Sequence, residues 1–210
     1  WAYPVSFFLF TPFWNSFMYL SVLEKFIYFF SAPAFMFFLK TYQQRRFFLF
    51  IFAALAGIFA LISKETGIAI FMAFFLFSCF CAIFFRSYRK ISIGLALVNG
   101  VGVCAYYFLI KSVISGYSSS YKGFSMPVIF WNLMHGPLII KLLFALAVIS
   151  AAHFCYKSIK SRDIADFFPA LWPFFVISYL SVLSPWGYMS YLLAPLGPAV
   201  MGMFVPLYFN

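Results

Sequence analysis

Acidic residues are scarce in this chain of 210 residues, which has four Asp and Glu side chains against 14 Lys and Arg. Charged residues make up 9% of the sequence and hydrophobic residues 66%, whereas soluble domains carry about a quarter charged residues. This shortage excludes an ordinary water-soluble domain. Together with a mean hydropathy of +1.01, it predicts an integral, multi-pass membrane protein. The net charge of +10 then reflects orientation in the bilayer, and we expect no nucleic-acid partner.

The sequence also lacks the spacings typical of a metal site or a disulfide framework. No Cys-x-x-Cys pair is present, and the two histidines, His135 and His153, are far apart. The four cysteines all lie inside apolar runs, so we expect them to pack as small hydrophobic side chains. They are Cys79, Cys81, Cys104 and Cys155.

Long apolar runs dominate what is present, and each is about 17–20 residues long, enough to cross a hydrocarbon core of ~30 Å as a helix. We predict an all-α, polytopic transmembrane bundle of seven or eight crossings, because backbone in lipid must satisfy its own hydrogen bonds. We expect residues 1–210 to form one transmembrane domain, belonging to a longer protein, with an outer loop at 111–136. The runs lie at 3–20, 23–39, 47–62, 68–85, 91–110, 137–156, 167–183 and 191–209.

Positive charges alternate along these runs and predict their orientation. Every second connection is basic, and such connections face the cytoplasm. The other connections, at 21–25, 63–67, 111–136 and 184–190, then face the outer side. The basic groups are Lys40, Arg45 and Arg46; Arg86, Arg89 and Lys90; and Lys157, Lys160 and Arg162.

Two acids fall on the predicted outer side, and each follows or precedes a lysine. Glu65 belongs to the stretch Ser-Lys-Glu-Thr-Gly at 63–67, between two apolar runs, and Glu24 stands beside Lys25. A sharp turn needs only Gly, Ser or Asn, so the charges have two interpretations: a solvated turn, or a polar site that meets a lipid headgroup. The remaining acids, Asp163 and Asp166, lie beside the third basic group and are interpreted as ordinary loop charges.

The outer loop at 111–136 has a flexible polar stretch at 115–123, followed by a more apolar segment with Trp131. One interpretation is an interfacial anchor at headgroup depth. The other is a lid over an outer cavity, in which Lys122 contacts a lipid phosphate and His135 is a second titratable group.

Three stretches together resemble the membrane-embedded glycosyltransferases of the GT-C superfamily, especially the family 39, protein-O-mannosyltransferase-like and aminoarabinose-transferase-like branch. The stretch at 19–30, with Glu24, is similar to that group's outer helix start, where an acid precedes a Leu/Phe-rich crossing. Residues 60–68 are similar to its Ser/Thr-Lys-Glu/Gly turn, and 184–195, with Tyr191, to its late Arg-Tyr-Leu-Leu-Pro element. Ser190 stands where the family often has Arg. The family's principal catalytic acid lies in a first outer loop that nothing here matches, so we expect that loop either to lie upstream of Trp1 or to be lost.

The resemblance implies transfer of a sugar from a polyprenyl-phosphate donor to a glycan, lipid or protein acceptor on the outer face. Such chemistry needs a carboxylate to take the acceptor proton and a cation to hold the departing phosphate. On that basis Glu24 is the candidate catalytic residue, expected to assist acceptor or metal binding. Lys64, Glu65, Lys122, His135 and Tyr191 are the candidates for substrate binding. A divalent cation would suit a pair of outer acids, but no cofactor is required by the resemblance.

Two other functions are compatible with the same sequence. A non-catalytic helical subunit of a membrane complex would explain why no first-loop acid is present. A transporter or flippase for lipid-linked sugars would explain polar residues at one boundary, but no ionisable residue lies in the middle of any apolar run, where an ion relay is expected.

Overall fold

The computed structural model describes residues 22–63, 67–114, 134 and 138–182. Within these residues the backbone is helical and contains no strand, so the predicted all-α class is confirmed for this part of the chain. Two short 3₁₀ helices, Arg86–Tyr88 and Ala165–Ala170, precede the fourth and sixth α-helices. The α-helices are α1 (Val22–Gln44), α2 (Leu49–Ser63), α3 (Ile68–Phe84), α4 (Arg89–Ile114), α5 (Leu138–Ser161) and α6 (Leu171–Val182).

Three of the helices are longer than the apolar runs from which they were predicted. The bounds of α2 and α3 agree with the predicted runs to within two residues, but α1, α4 and α5 continue into polar sequence. Lys40, Lys90, Lys157 and Lys160 therefore lie on helices and not in connecting loops. The physical reason is that Lys, Arg and Gln are good helix formers, so a helix continues where the apolar run stops. The predicted outer loop likewise begins later than expected, because α4 includes Lys111.

The chain divides into two compact units, one made of residues 1–67 with 186–210 and the other of residues 68–185. In the first unit, α1 and α2 form an antiparallel hairpin joined by a four-residue connection, 45–48. Phenylalanine rings pack along its length, with Phe30 stacked on Phe59 (ring centroids 5.1 Å apart) and Phe37 against Phe52 (5.3 Å). An earlier residue on α1 contacts a later residue on α2, so these contacts define an antiparallel register.

The hairpin turns at an arginine. Arg45 follows the last residue of α1 and has a φ of 52°, the left-handed conformation that usually ends a helix at glycine. The amide of Leu49 then donates to the carbonyl of Arg46 (3.2 Å), which starts α2. Arg162 ends α5 in the same way, with a φ of 58°. Two of the three basic connections thus share one helix-ending conformation.

The second unit is held at one end by a cluster of aromatic rings around Phe167, in the 3₁₀ helix before α6. Phe167 is fully buried. Its ring stacks on Phe80 (centroids 4.2 Å apart) and also contacts Phe77 (4.6 Å), Phe85 (6.1 Å) and Phe174 (5.9 Å). The cluster ties the end of α3 to the chain that follows α5, so these two places lie at the same end of the unit.

Large apolar side chains cover much of the outer surface of the helices. Two stretches of the described residues, Arg86–Phe108 and Lys141–Ser161, are long and apolar enough to cross a membrane. In the most apolar part of each stretch, only 17% of the residues are buried, whereas the core helix of a soluble protein is mostly buried. The three apolar helices at Leu49–Ile62, Ile68–Phe84 and Ala165–Ser181 are shorter. The predicted runs at 3–20 and 191–209 lie outside the described residues.

Replacing Phe167 by alanine is expected to destabilise the second unit by about 3–5 kcal/mol, since it removes a buried ring and leaves a cavity. The measurement is the thermal unfolding midpoint of the purified protein. Phe108→Ala is the matched control, because that ring is 68% exposed and its removal leaves no internal cavity. Equal shifts in the midpoint for the two variants would contradict the central role of the Phe167 cluster.

Candidate functional site

The hairpin of α1 and α2 has its basic connection at one end, and the helical backbone of Glu24 lies at the other end. Glu24 lies in the first turn of α1, and α2 ends at Ser63. Since the two helices are antiparallel, the start of α1 and the end of α2 lie at the same end of the hairpin. Arg45 and Arg46 lie at the opposite end, in the connection. We refer to the end with Glu24 and Ser63 as the open end.

Most of the predicted site residues lie outside the part of the chain that the structure describes. These are Lys64, Glu65, Lys122, His135 and Tyr191. For Glu24 the helical backbone is described and the side chain is not. The assignments of all six therefore stay predictions, and what the described residues provide is the frame that positions Glu24 and the approach to residue 64.

Gly67, the last residue of the Ser-Lys-Glu-Thr-Gly stretch, lies against the final turns of α2. A Cβ atom at this position would come within 2.6 Å of the Leu61 nitrogen and 2.7 Å of the Ala60 carbonyl carbon and oxygen. These are backbone atoms and cannot move aside as a flexible side chain can. Gly67 is therefore required by close packing of backbone on backbone, which explains the residue type at the end of this stretch.

The two carboxylates of the second unit are already engaged locally. Asp166 Oδ1 accepts from Lys157 Nζ at 2.7 Å, and hydrogen bonds from Lys157 and Ser161 hold the pKa of the Asp166 carboxyl below its ordinary value. Asp163 Oδ1 accepts from the amide of Ala165 (2.9 Å), which fixes the turn after α5. Both acids thus make local structural contacts beside the third basic group.

The second unit contains buried polar groups that the sequence analysis did not predict, because they carry no charge. Asn99 is 1% exposed; its Nδ2 donates to the Leu95 carbonyl (2.7 Å), while Oδ1 has no partner among the described residues. The hydroxyls of Ser92 and Ser178 are likewise buried without a partner there. An amide inside an apolar run was visible in the sequence and is the signal that could have identified this interior.

No group of three or more His, Cys, Asp and Glu side chains that could hold a metal ion occurs among the described residues. A divalent cation bound by Glu24 and Glu65 would involve side chains outside that description, so it stays an expectation from the resemblance.

Substituting Gly67 by alanine should lower the stability of the protein by about 1–3 kcal/mol, because the added methyl group forces the backbone away from α2. The unfolding midpoint again measures the effect. Gly102→Ala serves as the control, since a Cβ at Gly102 meets no atom within 4 Å and alanine favours the helix there. A loss of stability at Gly102 equal to that at Gly67 would show that helix packing at Ala60 is not the cause.

Comparison with known proteins does not assign this chain to a family or a function. No family model, no curated protein and no solved structure matches this chain. A functional proposal therefore depends on the residues and their placement.

Proposed function

We propose that the chain is a multi-pass membrane protein with seven or eight crossings, of GT-C type, that transfers a sugar from a polyprenyl-phosphate donor to an acceptor on the outer face of the membrane. The bacterial inner membrane and the endoplasmic reticulum both fit this orientation. The observation that supports it most directly is the α1–α2 hairpin, in which Glu24 and the end of α2 share the end opposite Arg45 and Arg46.

Membrane placement is supported by the surface of the helices. Exposed Phe, Leu, Ile and Val side chains extend along α2, α4 and α5, a surface that a water-soluble protein would need to cover. In a membrane, lipid tails contact these side chains and keep them out of water. Cations lie at the turn of the hairpin in the first unit and at one end of the second, as expected when those ends face the cytoplasm.

The register of the hairpin supports a shared site at the open end. Phe30 lies level with Phe59, so Glu24, six residues before Phe30, lies within about two residues of the level at which α2 ends, at Ser63. We propose that the turn after Ser63 brings Lys64 and Glu65 to the start of α1, where Glu24 lies. Neighbouring helix axes are ~8–10 Å apart, a separation that one sugar phosphate can bridge.

The proposed reaction assigns one role to each charge. The acceptor hydroxyl oxygen attacks the anomeric carbon, and the bond from that carbon to the phosphate oxygen breaks. The Glu24 carboxylate takes the acceptor proton, while Lys64 stabilises the negative charge on the departing polyprenyl phosphate. Glu65 orients Lys64 or binds the sugar. Tyr191, in the late element of the resemblance, and Lys122 and His135, in the outer loop taken as a lid, complete the proposed substrate contacts.

Cysteine cross-linking tests the shared site without requiring activity. In a background free of native cysteines, Glu24→Cys combined with Glu65→Cys should be joined efficiently by a bismaleimide linker that spans neighbouring helices. The control pair, Glu24→Cys with Arg46→Cys, should not react, because α1 has 23 residues and about 1.5 Å rise per residue separates its ends by ~33 Å. Failure of the first pair, with both single cysteines accessible to maleimide, would rule out a site shared by Glu24 and Glu65.

Glycosyl transfer from a radiolabelled polyprenyl-phosphate sugar tests the chemistry. We expect Glu24→Gln and Lys64→Ala each to lower turnover by about 10²-fold or more, since each removes a group that acts on the reacting atoms. Lys40→Ala and Asp163→Asn are controls of the same types, on the basic side; asparagine retains the oxygen that accepts from Ala165. Turnover that is unchanged in both site variants would remove the assignment. A folded wild-type protein without transferase activity would favour the non-catalytic subunit, with membrane-protein partners.

A further inference from the structure

Six cations lie at one end of the second unit, and we call this surface the basic end. They come from two segments that are separated by more than 60 residues of sequence. All six are exposed: Arg86, Arg89, Lys90, Lys157, Lys160 and Arg162.

The Phe167 cluster brings the two segments together. Phe85, which directly precedes Arg86, contacts the ring of Phe167 with centroids 6.1 Å apart. Asp166, the neighbour of Phe167, binds Lys157 at 2.7 Å. The first basic segment thus directly follows a ring that contacts Phe167, and the second is linked to the residue before Phe167 by the Lys157–Asp166 ion pair. These contacts hold both segments at one end of the unit.

The positive charge of the basic end is only partly neutralised by acidic residues on the same segments. Asp163 and Asp166 are the acids on the same segments, so the six cations leave a net formal charge of +4. Lys157 is paired with Asp166, and the other five have no carboxylate partner among the described residues. Arg89 and Lys90 also begin α4, whose first turn has no acid, so the helix dipole adds to the positive potential.

Apolar side chains are exposed directly beside these cations. Ile83 is 74% exposed and Phe84 50%, just before Arg86; Tyr156 is 67% exposed and Ile159 45%, on either side of Lys157. A ligand that matches this surface must present negative charge next to hydrocarbon. A soluble phosphate or an acidic protein segment would leave the apolar side chains in water.

We infer that the basic end binds the headgroups of anionic phospholipids, with phosphate oxygens on the unpaired Arg and Lys side chains and acyl chains against Ile83, Phe84, Tyr156 and Ile159. Juxtamembrane cations contribute ~1 kcal/mol each toward anionic lipid, about fivefold in affinity. The inference depends on the proposed membrane placement and not on sugar transfer. It assigns to this end of the second unit a lipid-binding surface of its own, apart from the predicted catalytic residues.

Lipid titration of the purified full chain in non-ionic detergent tests the inference. Phosphatidylglycerol is expected to raise the thermal unfolding midpoint in a saturable manner that added salt weakens. Phosphatidylcholine with the same acyl chains should have little effect, because its headgroup is neutral overall, and glycerol phosphate should have little effect because it has no acyl chains.

Two variants separate the segments of the basic end. Arg86→Gln with Arg89→Gln and Lys90→Gln removes one segment's charge, and Lys160→Gln with Arg162→Gln removes that of the other. Each variant should weaken the affinity for phosphatidylglycerol about fivefold per cation removed, with an unfolding midpoint near wild type in the absence of lipid. Lys141→Gln is the matched control at the far end of α5 and should leave the affinity unchanged.

The outcomes are distinct from those of the transferase assay, because no donor sugar or turnover is involved. Wild-type affinity in both variants would overturn the inference, as would an equal response to phosphatidylcholine, or an equal response to glycerol phosphate alone. Loss of affinity in only one variant would assign the headgroup to that segment and overturn the two-segment surface. An inactive protein that still responds to phosphatidylglycerol would refute sugar transfer alone.

Discussion

Aromatic packing between antiparallel helices is the interaction on which the described structure depends. Under the proposed membrane placement, transfer of apolar surface from water does not drive the helices together, so close van der Waals contact must do so. Phenylalanine rings provide that contact in both units, along the α1–α2 hairpin and around Phe167. Each ring pair also fixes a register, and the register determines which charged residues lie level with one another. The abundance of Phe thus has a structural use, at least at these positions.

The helices could be predicted from the sequence because apolar runs of membrane-spanning length leave few alternatives. The ends could not, as α1, α4 and α5 show. An apolar run reports the extent of a hydrophobic surface, whereas a helix ends where the backbone finds a capping conformation. Arg45 and Arg162 adopt that conformation although neither is the glycine that sequence reasoning looks for. The 3₁₀ helix at Ala165–Ala170 was missed for a related reason, since hydropathy does not distinguish it from α6.

The position of Glu24, at the end of the hairpin opposite Arg45 and Arg46, agrees with the charge alternation of the sequence. The buried polar groups of the second unit do not follow from charge. Asn99, Ser92 and Ser178 carry no charge, and their burial is a result of packing. A buried polar atom without a partner costs ~1–3 kcal/mol, so these three positions distinguish the second unit from an ordinary apolar bundle.

Within the Ser-Lys-Glu-Thr-Gly stretch, the structure explains the identity of the glycine. Gly67 is accounted for by its approach to the backbone of Ala60 and Leu61, and any protein with this turn would need a small residue there. Lys64 and Glu65 lie outside the described residues, and a turn can be made from Ser, Gly and Asn alone. Their charges therefore keep two interpretations, a solvated turn or a polar site that meets a headgroup. The proposed function requires the second of these, with both side chains at the open end of the hairpin.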